Sequence, residues 1–392
     1  MGSVLKQVRI EMPSTSENDN ATESGEKTLD PNIYLTYDIL RIVFQYLRAR
    51  DLANAAMVCR TWLEAANKEK WTRGPYCFML DCKTKHDFGH HLLNVRVRPS
   101  IALFFLAGSF PYHVEEHCMT LLPKNCEVVM LYTTGMVMDN KELESGKCSR
   151  TDAICAFLPQ IPNVSVKLFK LTEYYAIQKT TEYKEIISII DNHGTSVSNN
   201  EMSTCFMLFC NGMGHSVAKR WASIIQKRKN KVTSVWGGVL DFIHFIHSCP
   251  ENLNKRPDME RPTQAPVCIG VLIAGPVQTW SMILERKCNT KERVEERLKL
   301  FKNKVKLKKH SIGFMFVCRA RGSEMYNETN VESTIFKRLF PKVPLAGCFG
   351  NGEFGKNSID EANKEKNSEQ EHKSKRSWYN EFSTVFLILT YG

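Results

Sequence analysis

The stretch LTYDILRIVFQYLRARDLANAAMVCRTWLEAANKEKW, residues 35–71, carries a helical pattern of apolar residues in a segment too short to be a domain by itself. Apolar residues recur at helical spacing from Ile39 to Leu47, and Leu52 and Cys59 continue an apolar face further along. We expect two or three short helices joined by tight turns. A small helical unit that ends near a large indole, here Trp62, needs a second surface to bury it, supplied by this chain or by another protein.

The residues before this stretch have a different texture. Glu11 to Lys27 almost lack apolar side chains, and this composition predicts a disordered leader. After Pro75 the pattern becomes mixed, with short runs rich in β-branched and aromatic residues. These runs predict eight strands: Ile101 to Leu106, Val128 to Tyr132, Val164 to Leu171, Cys205 to Cys210, Val235 to Leu240, Cys268 to Ala274, Ile312 to Cys318 and Val385 to Leu389.

Helical stripes lie between several of these runs. They are predicted by Val217, Trp221, Ile224 and Ile225, by Val294, Leu298, Phe301 and Val305, and by Val331, Ile335 and Leu339. Because the stripes and the strands each need covering, we expect an α+β or α/β multidomain protein. Its small trihelical unit would precede a mixed α/β body with helices packed on sheets.

Two further segments divide the chain. Residues 251–266 are rich in proline and charge and predict a joint, and residues 356–377 are rich in Lys, Glu, Asn and Ser and predict a mobile loop. The strongly apolar end, FSTVFLILTYG, is expected to return into the last sheet. No internal repeat of fixed period is evident. The predicted segments are a leader at 1–30, the helical unit at 31–74, α/β domains at 75–250 and 267–392, the joint and the loop.

Composition narrows the class of protein. The 392 residues include 53 Lys and Arg against 42 Asp and Glu, a net charge of +11 that is scattered in pairs rather than gathered in a block. With no nucleic-acid-binding motif, a solvated basic surface is the favoured interpretation, and no direct nucleic acid partner is expected. No secretory signal or membrane-spanning run is present, which predicts a protein of the cytoplasm and nucleus whose 14 cysteines are mostly reduced.

The opening stretch resembles an F-box. Its characteristic pattern is matched in order by Leu35, Asp38, Ile39, Leu40, Val43, Phe44, Tyr46, Leu47, Asp51, Leu52, Val58, Cys59, Arg60 and Trp62. Thr36 stands where the family commonly has proline. The resemblance implies a trihelical unit that binds the adaptor Skp1 and, through it, cullin-1 and a RING subunit. The expected Skp1 contacts are Leu35, Ile39, Leu40, Val43, Phe44, Leu47, Leu52, Val58, Cys59 and Trp62; the alternative is a helical subdomain packed only on its own chain.

Residues 312–355 resemble the C-terminal FIST domain, and the order of an F-box followed by FIST N-terminal and C-terminal parts resembles the F-box only protein 22 family. Features that match are Cys318 and the Arg321–Gly322 pair after a strand, Glu332 on the next helix, and a glycine-rich return. The resemblance implies a pocket for a substrate or small ligand formed by Cys318, Arg321, Gly322, Glu332, Gly350, Gly352 and Glu353. The same glycines also suit a purely structural turn, because they permit positive φ and close backbone approach.

Two other chemistries are weaker alternatives. Cys318 would need a positioned base to act as a nucleophile, and His310 is the nearest histidine in sequence. Cys77, Cys82, His86 and His90 are spaced too closely for a typical structural zinc site. We therefore expect no catalytic residue, no metal and no cofactor.

The function these features favour is a non-catalytic substrate receptor of an Skp1–cullin–F-box (SCF) ubiquitin ligase. Such a subunit recruits target proteins for ubiquitination and proteasomal degradation by holding them close to the ubiquitin-charged enzyme. The alternative is a FIST signalling protein that senses a small ligand.

Overall fold

The structure, a computed structural model, describes residues 36–82, 85–108, 113–144, 146–149, 152–172, 176–194, 202–227, 232–246, 266–358 and 377–392. The predicted leader, nearly all of the joint at 251–266 and most of the loop at 356–377 lie outside these ranges. Within them, no helix combines the length and the apolar character needed to cross a bilayer.

The N-terminal unit consists of three helices, as predicted: α1 (Tyr37–Phe44), α2 (Ala49–Ala55) and α3 (Arg60–Thr72). Thr36 occupies the N-cap position of α1 without a side-chain capping hydrogen bond, and its carbonyl accepts from Leu40 N at 3.0 Å. The unit has a small core of its own, formed by Leu40, Phe44, Leu52, Ala55, Ala65 and Ala66.

The remaining chain repeats one order of elements three times: strand, helix, strand, helix, strand, a short crossover segment, and a final strand. Unit 1 comprises β1 (Tyr76–Asp81), α4 (Lys85–Leu93), β2 (Pro99–Ala107), α5 (His113–Leu121), β3 (Glu127–Thr133), β4 (Met136–Met138), β5 (Lys141–Leu143) and β6 (Asp152–Pro159). Unit 2 comprises β7 (Ser165–Lys170), α6 (Thr181–Gly194), β8 (Ser203–Asn211), α7 (His215–Gln226), β9 (Ser234–Leu240), β10 (Phe242–Ile246) and β11 (Cys268–Gly275). Unit 3 comprises β12 (Gln278–Leu284), α8 (Lys291–Lys304), β13 (His310–Cys318), α9 (Ser323–Tyr326), α10 (Val331–Leu339), β14 (Leu345–Gly350), β15 (Glu353–Gly355), β16 (Tyr379–Asn380) and β17 (Thr384–Tyr391).

Strand pairing follows the same rule in each unit. The first strand pairs antiparallel with the last, the last pairs antiparallel with the second, and the second pairs parallel with the third. A helix connects each parallel pair, as a parallel connection requires. The resulting four-strand orders are β1-β6-β2-β3, β7-β11-β8-β9 and β12-β17-β13-β14.

The crossover segments exchange between units. β4 of unit 1 pairs with β14 of unit 3, β10 of unit 2 pairs with β3 of unit 1, and β15 of unit 3 pairs with β9 of unit 2. Each unit therefore donates a strand to another unit's sheet and receives one in return. The three units therefore share their sheets and form one interlocked body rather than separate domains. The predicted joint at 251–266 lies between β10 and β11 in sequence, and β11 pairs with β8 of the same unit.

The alternation of side chains along the strands divides the apolar core. One face of all three sheets contributes to a shared central cluster, in which Trp236 contacts the rings of Phe105, Phe209, Phe314 and Phe316. The opposite faces pack against α4 and α5, α6 and α7, or α8 and α10 in three separate clusters. Because strand side chains point alternately to the two faces, each sheet has a central face and a helix-covered face.

The predicted fold class is confirmed. All eight predicted strands are present, as β2, β3, β7, β8, β9, β11, β13 and β17, and the three helical stripes are α7, α8 and α10. The terminal strand lies between β12 and β13, as expected for so apolar a segment. The threefold repeat was not predicted because it resides in strand pairing and not in matching residues.

Candidate functional site

Helix α1 carries apolar side chains on two of its faces. The stripe at Leu40 and Phe44 points into the core of the helical unit, and both side chains are almost fully buried. A second set, at positions i, i+3, i+4 and i+7 on the opposite side, is exposed to solvent: Ile39, Ile42 and Val43 on α1 and Tyr46 just after it. A helix that is apolar on both faces is adapted to being covered on both sides.

Further exposed apolar residues follow at the α2–α3 turn and on α3. Met57 is 77% exposed, Val58 is 62% exposed, and Cys59 and Leu63 are also exposed. We call Ile39, Ile42, Val43, Tyr46, Met57, Val58, Cys59 and Leu63 the exposed F-box face. Single exposed apolar residues are common on protein surfaces, but eight of them in a unit of three short helices indicate an interaction surface.

The structure places the predicted Skp1-contact residues in three different environments. Ile39, Val43, Val58 and Cys59 belong to the exposed F-box face. Leu40, Phe44 and Leu52 instead fill the core of the helical unit, where they support the exposed face from behind. Leu47 and Trp62 are half-buried and pack against that core, and Leu35 lies outside the described residues.

Trp62 is partly covered by the helical unit itself. Its ring packs edge-on against Phe44, with ring centroids 5.3 Å apart, so part of the indole is covered by the chain itself. The sequence pattern could not separate inward from outward apolar residues because α1 carries both kinds. Ile42, Tyr46, Met57 and Leu63 are exposed but lie outside the predicted contact set, although the i, i+3, i+4, i+7 spacing from Ile39 to Tyr46 was available as a signal.

The second predicted set, in unit 3, forms two clusters of buried polar groups. In the first, the Arg321 guanidinium donates from Nε and Nη2 to Glu332 Oε1 at 2.8 and 2.6 Å. It also donates to the Tyr326 hydroxyl and to the backbone carbonyls of Cys288 and Phe382 at 2.7, 2.8 and 3.2 Å. All of these contacts are internal to the protein, so the guanidinium holds together the β12–α8 connection, α10 and the segment before β17.

The second cluster surrounds Glu353. Its carboxylate accepts hydrogen bonds from the backbone N–H groups of Ser383 and Gly352, both at 3.0 Å, and from the Ser383 hydroxyl at 2.7 Å. Burial raises the pKa of Glu353 to about 7, and these hydrogen bonds act in the opposite direction. The two clusters meet at the segment before β17, since Phe382 O accepts from Arg321 and Ser383 donates to Glu353.

The glycine-rich return is packed tightly. A Cβ on Gly350 would lie 2.4 Å from the Val239 carbonyl oxygen and 2.5 Å from the Phe316 ring. Gly352 adopts φ +111°, which side chains rarely tolerate, and a Cβ there would lie 2.8 Å from the Tyr379 hydroxyl. The absence of a side chain permits close approach of units 2 and 3 at Gly350, and of β16 within unit 3 at Gly352.

Gly322 is the member of the predicted pocket that lines an open cavity. This cavity, of about 490 Å³, is bounded by Thr134, Glu144, Arg319, Ala320, Gly322, Ser323, Glu324 and Phe349. Glu144 comes from unit 1 and accepts from Ser323 N at 2.8 Å and from the Ser323 hydroxyl. The cavity thus lies where unit 1 meets unit 3, a junction that adjacency in sequence could not indicate.

Cys318 is poorly placed for nucleophilic chemistry. Its side chain is buried, and burial followed by the nearby Glu353 carboxylate raises the pKa of its thiol. His310, the suggested base, lies at the other end of the same strand, roughly 26 Å away at the rise of an extended chain. In the described ranges, no group of three or more His, Cys, Asp or Glu side chains is arranged to hold a metal ion.

The buried carboxyl groups predict a pH effect on stability. Burial raises the pKa values of Glu142 and Glu353 to about 7, so the folded protein binds more protons than the unfolded chain between about pH 4.5 and 7. Each group therefore contributes stability that is lost as the pH rises through this window. His215 and His310 oppose this trend, because burial lowers their pKa values.

We therefore expect the Glu353→Gln variant to be less destabilised, relative to wild type, at pH 8 than at pH 5. Urea denaturation at both pH values measures this difference, and one pKa unit corresponds to about 1.4 kcal/mol. The control, Glu296→Gln on the exposed face of α8, should show the same difference from wild type at both pH values. If Glu353→Gln lowers the free energy of unfolding by the same amount at pH 5 and pH 8, the prediction is contradicted.

Comparisons with known proteins identify the family of the helical unit and relatives of the whole chain. Residues 37–74 match the F-box-like family. The chain is 23% identical to the human F-box only protein 22 over 357 residues, covering 81% of this chain and 84% of that protein, and an orangutan (Pongo abelii) relative of the same name matches equally. An Arabidopsis thaliana F-box/LRR-repeat protein is 34% identical over 79 residues, which cover 20% of this chain and 14% of that protein.

A solved structure of a cyanuric acid hydrolase from A. caulinodans covers 81% of this chain and 99% of its own, with 6% sequence identity. The TM-score of 0.36 is too low to support a conclusion about fold or activity. The predicted resemblance to the F-box only protein 22 family is confirmed by the family match and by the relatives that span most of the chain.

Proposed function

We propose that this F-box protein is the substrate receptor of an SCF ubiquitin ligase. The observation that carries the proposal is the exposed F-box face, which presents apolar side chains on the side of α1 opposite to its own core. F-box domains generally bind Skp1 and thereby join cullin-1 and a RING subunit. Apolar anchors of this kind dominate the binding energy of protein interfaces.

The receptor's contribution to ubiquitination is proximity. The helical unit would bind Skp1, and the interlocked body would hold a protein substrate so that one of its lysines lies near the ubiquitin thioester on another subunit. No side chain of this chain is assigned a chemical step, and the ligase would act in the cytoplasm and nucleus. The alternative, small-ligand sensing, draws its support from the cavity of about 490 Å³, whose size is in the usual range for ligand pockets.

Charged substitutions on the exposed F-box face are expected to abolish stable Skp1 binding. Ile42 and Val58 are 59% and 62% exposed, so Ile42→Glu with Val58→Glu should leave the fold intact while placing two carboxylates in the interface. Loss of two anchors should raise the dissociation constant for Skp1 by about 100-fold or more. Isothermal titration of purified protein with Skp1 measures the change directly.

The matched control is Leu300→Glu with Leu307→Glu, which places the same charges at exposed apolar positions on α8 and just after it. This control should bind Skp1 as wild type does. Equal binding by both double variants would refute the role of the exposed F-box face. Proximity labelling in cells, with and without proteasome inhibition, would then separate substrates from bystanders. The labelled amount of a substrate should rise on proteasome inhibition with the wild-type receptor. With the Ile42→Glu/Val58→Glu variant, inhibition should leave that amount unchanged, because the substrate is no longer degraded through the receptor.

A further inference from the structure

The helical unit rests on the body along a seam formed by the end of α3, the α1–α2 turn and residues 95–98. Ala49 N donates to Val95 O at 3.0 Å, and the Arg73 guanidinium donates to Phe44 O at 2.8 Å and to the Arg96 carbonyl. A cavity of about 210 Å³ lies within this seam. It is lined by Ala49, Leu52, Asn67, Lys70, Trp71, Arg73, Arg96, Val97, Arg98, Pro159 and Gln160.

The lining of this seam cavity is strongly cationic. Lys70 and Arg73 come from the helical unit, and Arg96 and Arg98 come from the body. In the run Val95–Arg98, the two valines are buried, and the two arginines are exposed and line the cavity. Arg96 also donates to the Gln45 carbonyl across the seam. Among the lining residues, all of which are described, none carries a carboxylate.

The positive charges are only partly compensated. Arg73 pairs with Glu69, the Nε to Oε1 distance being 2.8 Å, and both side chains are largely buried. Lys70 donates to the amide oxygen of Asn67 at 3.3 Å, and no described carboxylate forms an ion pair with Lys70 or Arg98. Burial, and after it the charge of Arg98, lowers the pKa of Lys70, as expected when like charges face one another in a partly desolvated space.

We propose that the seam cavity binds a small multivalent oxyanion of the phosphate class. Guanidinium groups match the oxygens of such anions with paired hydrogen bonds, and a lysine adds a compact third charge. The volume is below the range that accommodates drug-sized ligands, so it suits a phosphate or pyrophosphate group rather than a whole nucleotide. Because Lys70 belongs to the helical unit and Arg98 to the body, the bound anion would hold the two against each other.

Isothermal titration and thermal unfolding with pyrophosphate test this site. Wild type is expected to bind pyrophosphate and to unfold at a higher temperature in its presence than in sodium chloride of equal ionic strength. Lys70→Gln with Arg98→Gln should weaken pyrophosphate binding by at least about tenfold, because two of the charged donors are removed. The control with the same change in net charge, Lys302→Gln with Lys306→Gln on an exposed basic segment, should bind as wild type does.

Several outcomes would overturn the proposal. The first is that wild type responds to phosphate and pyrophosphate no more than to sodium chloride. The second is that pyrophosphate binding is weakened equally in both double variants, which would indicate diffuse charge screening. If the Lys70/Arg98 double variant fails to fold, the single variant Arg98→Gln provides the same comparison. Sedimentation with phosphatidylcholine vesicles, with and without a phosphorylated phosphoinositide, distinguishes the source of the anion. Binding to the phosphoinositide vesicles in addition to soluble pyrophosphate would assign a lipid headgroup, and binding to soluble pyrophosphate without binding to these vesicles would assign a free anion.

We expect this site to be independent of Skp1 binding, since its lining residues are outside the exposed F-box face. Leu52, the lining residue that is also an expected Skp1 contact, lies in the core of the helical unit. The Ile42→Glu/Val58→Glu variant should therefore bind pyrophosphate normally, and the Lys70→Gln/Arg98→Gln variant should still bind Skp1. Failure of either proposal leaves the other open to its own test.

Discussion

Replacing Glu332 with alanine is expected to lower the free energy of unfolding by about 3 to 5 kcal/mol, because it leaves the Arg321 guanidinium buried without a counter-charge. Both side chains are almost completely removed from solvent. Without Glu332, the guanidinium retains only neutral acceptors: the Tyr326 hydroxyl and three backbone carbonyls. Urea denaturation followed by tryptophan fluorescence measures the loss.

Two further variants define the cause. Glu296→Ala removes an exposed carboxylate from α8 and should change stability by no more than about 0.5 kcal/mol. Arg321→Met with Glu332→Leu removes both buried charges and should recover part of the loss, since apolar replacements of a buried pair are often tolerated. Recovery should be incomplete because the carbonyls of Glu285, Cys288 and Phe382 lose the hydrogen bonds that Arg321 donates. Cys288 N still donates to the first of these carbonyls and the Tyr326 hydroxyl to the second. A loss below about 1 kcal/mol for Glu332→Ala would show that the guanidinium is stable without its partner.

Separate expression of residues 36–250 and 267–392 is expected to yield two chains that do not fold. The first fragment keeps β8 but loses β11, its antiparallel neighbour, and its β4 has no β14 to pair with. The second fragment loses β9, which pairs with β15. Each fragment therefore exposes unpaired strand edges and part of the central apolar cluster. Circular dichroism and thermal unfolding should show no cooperative transition for either fragment.

The matching experiment keeps both fragments together. A protease site inserted between residues 251 and 266 should allow the folded protein to be cut while the two pieces remain one particle in size-exclusion chromatography, because the strands on both sides of the cut are held in shared sheets. Cooperative unfolding of the isolated 36–250 fragment would contradict the interlocked arrangement. So would separation of the pieces after cleavage under native conditions.

Local patterns predicted eight of the strands and three of the helices that cover them, but not β6, a buried central strand of eight residues. The apolar run from Val385 to Leu389 could be stable only inside a sheet, and β17 does lie between two neighbours. Short strands such as β4 and β15 have three residues each and no periodicity to detect. They are strands because a partner from another unit supplies the hydrogen bonds, so their existence depends on chain segments far away in sequence.

The predicted sites show the same division. The F-box pattern located the helical unit, but both apolar stripes of α1 satisfied it, and only packing distinguishes Leu40, in the core, from Ile42, on the surface. Arg321 and Glu332 were both assigned to the predicted pocket, whereas their enclosure by three backbone carbonyls from two other segments was beyond any pattern in the sequence. The proposed pocket and the Skp1-contact set remain predictions to be tested by the variants above.

The sequence by itself determined the elements whose hydrogen bonds and apolar faces are satisfied locally: three short helices, eight strands and three covering helices. Helical and strand periodicity are properties of neighbouring residues, so they can be read from one chain. The tertiary structure alone decided which unit receives each crossover strand, which apolar side chains of the helical unit face solvent, and that Lys70 and Arg98 meet across one cavity. These features arise from contacts between residues distant in sequence, whose energies depend on shared burial and charge and leave no local pattern.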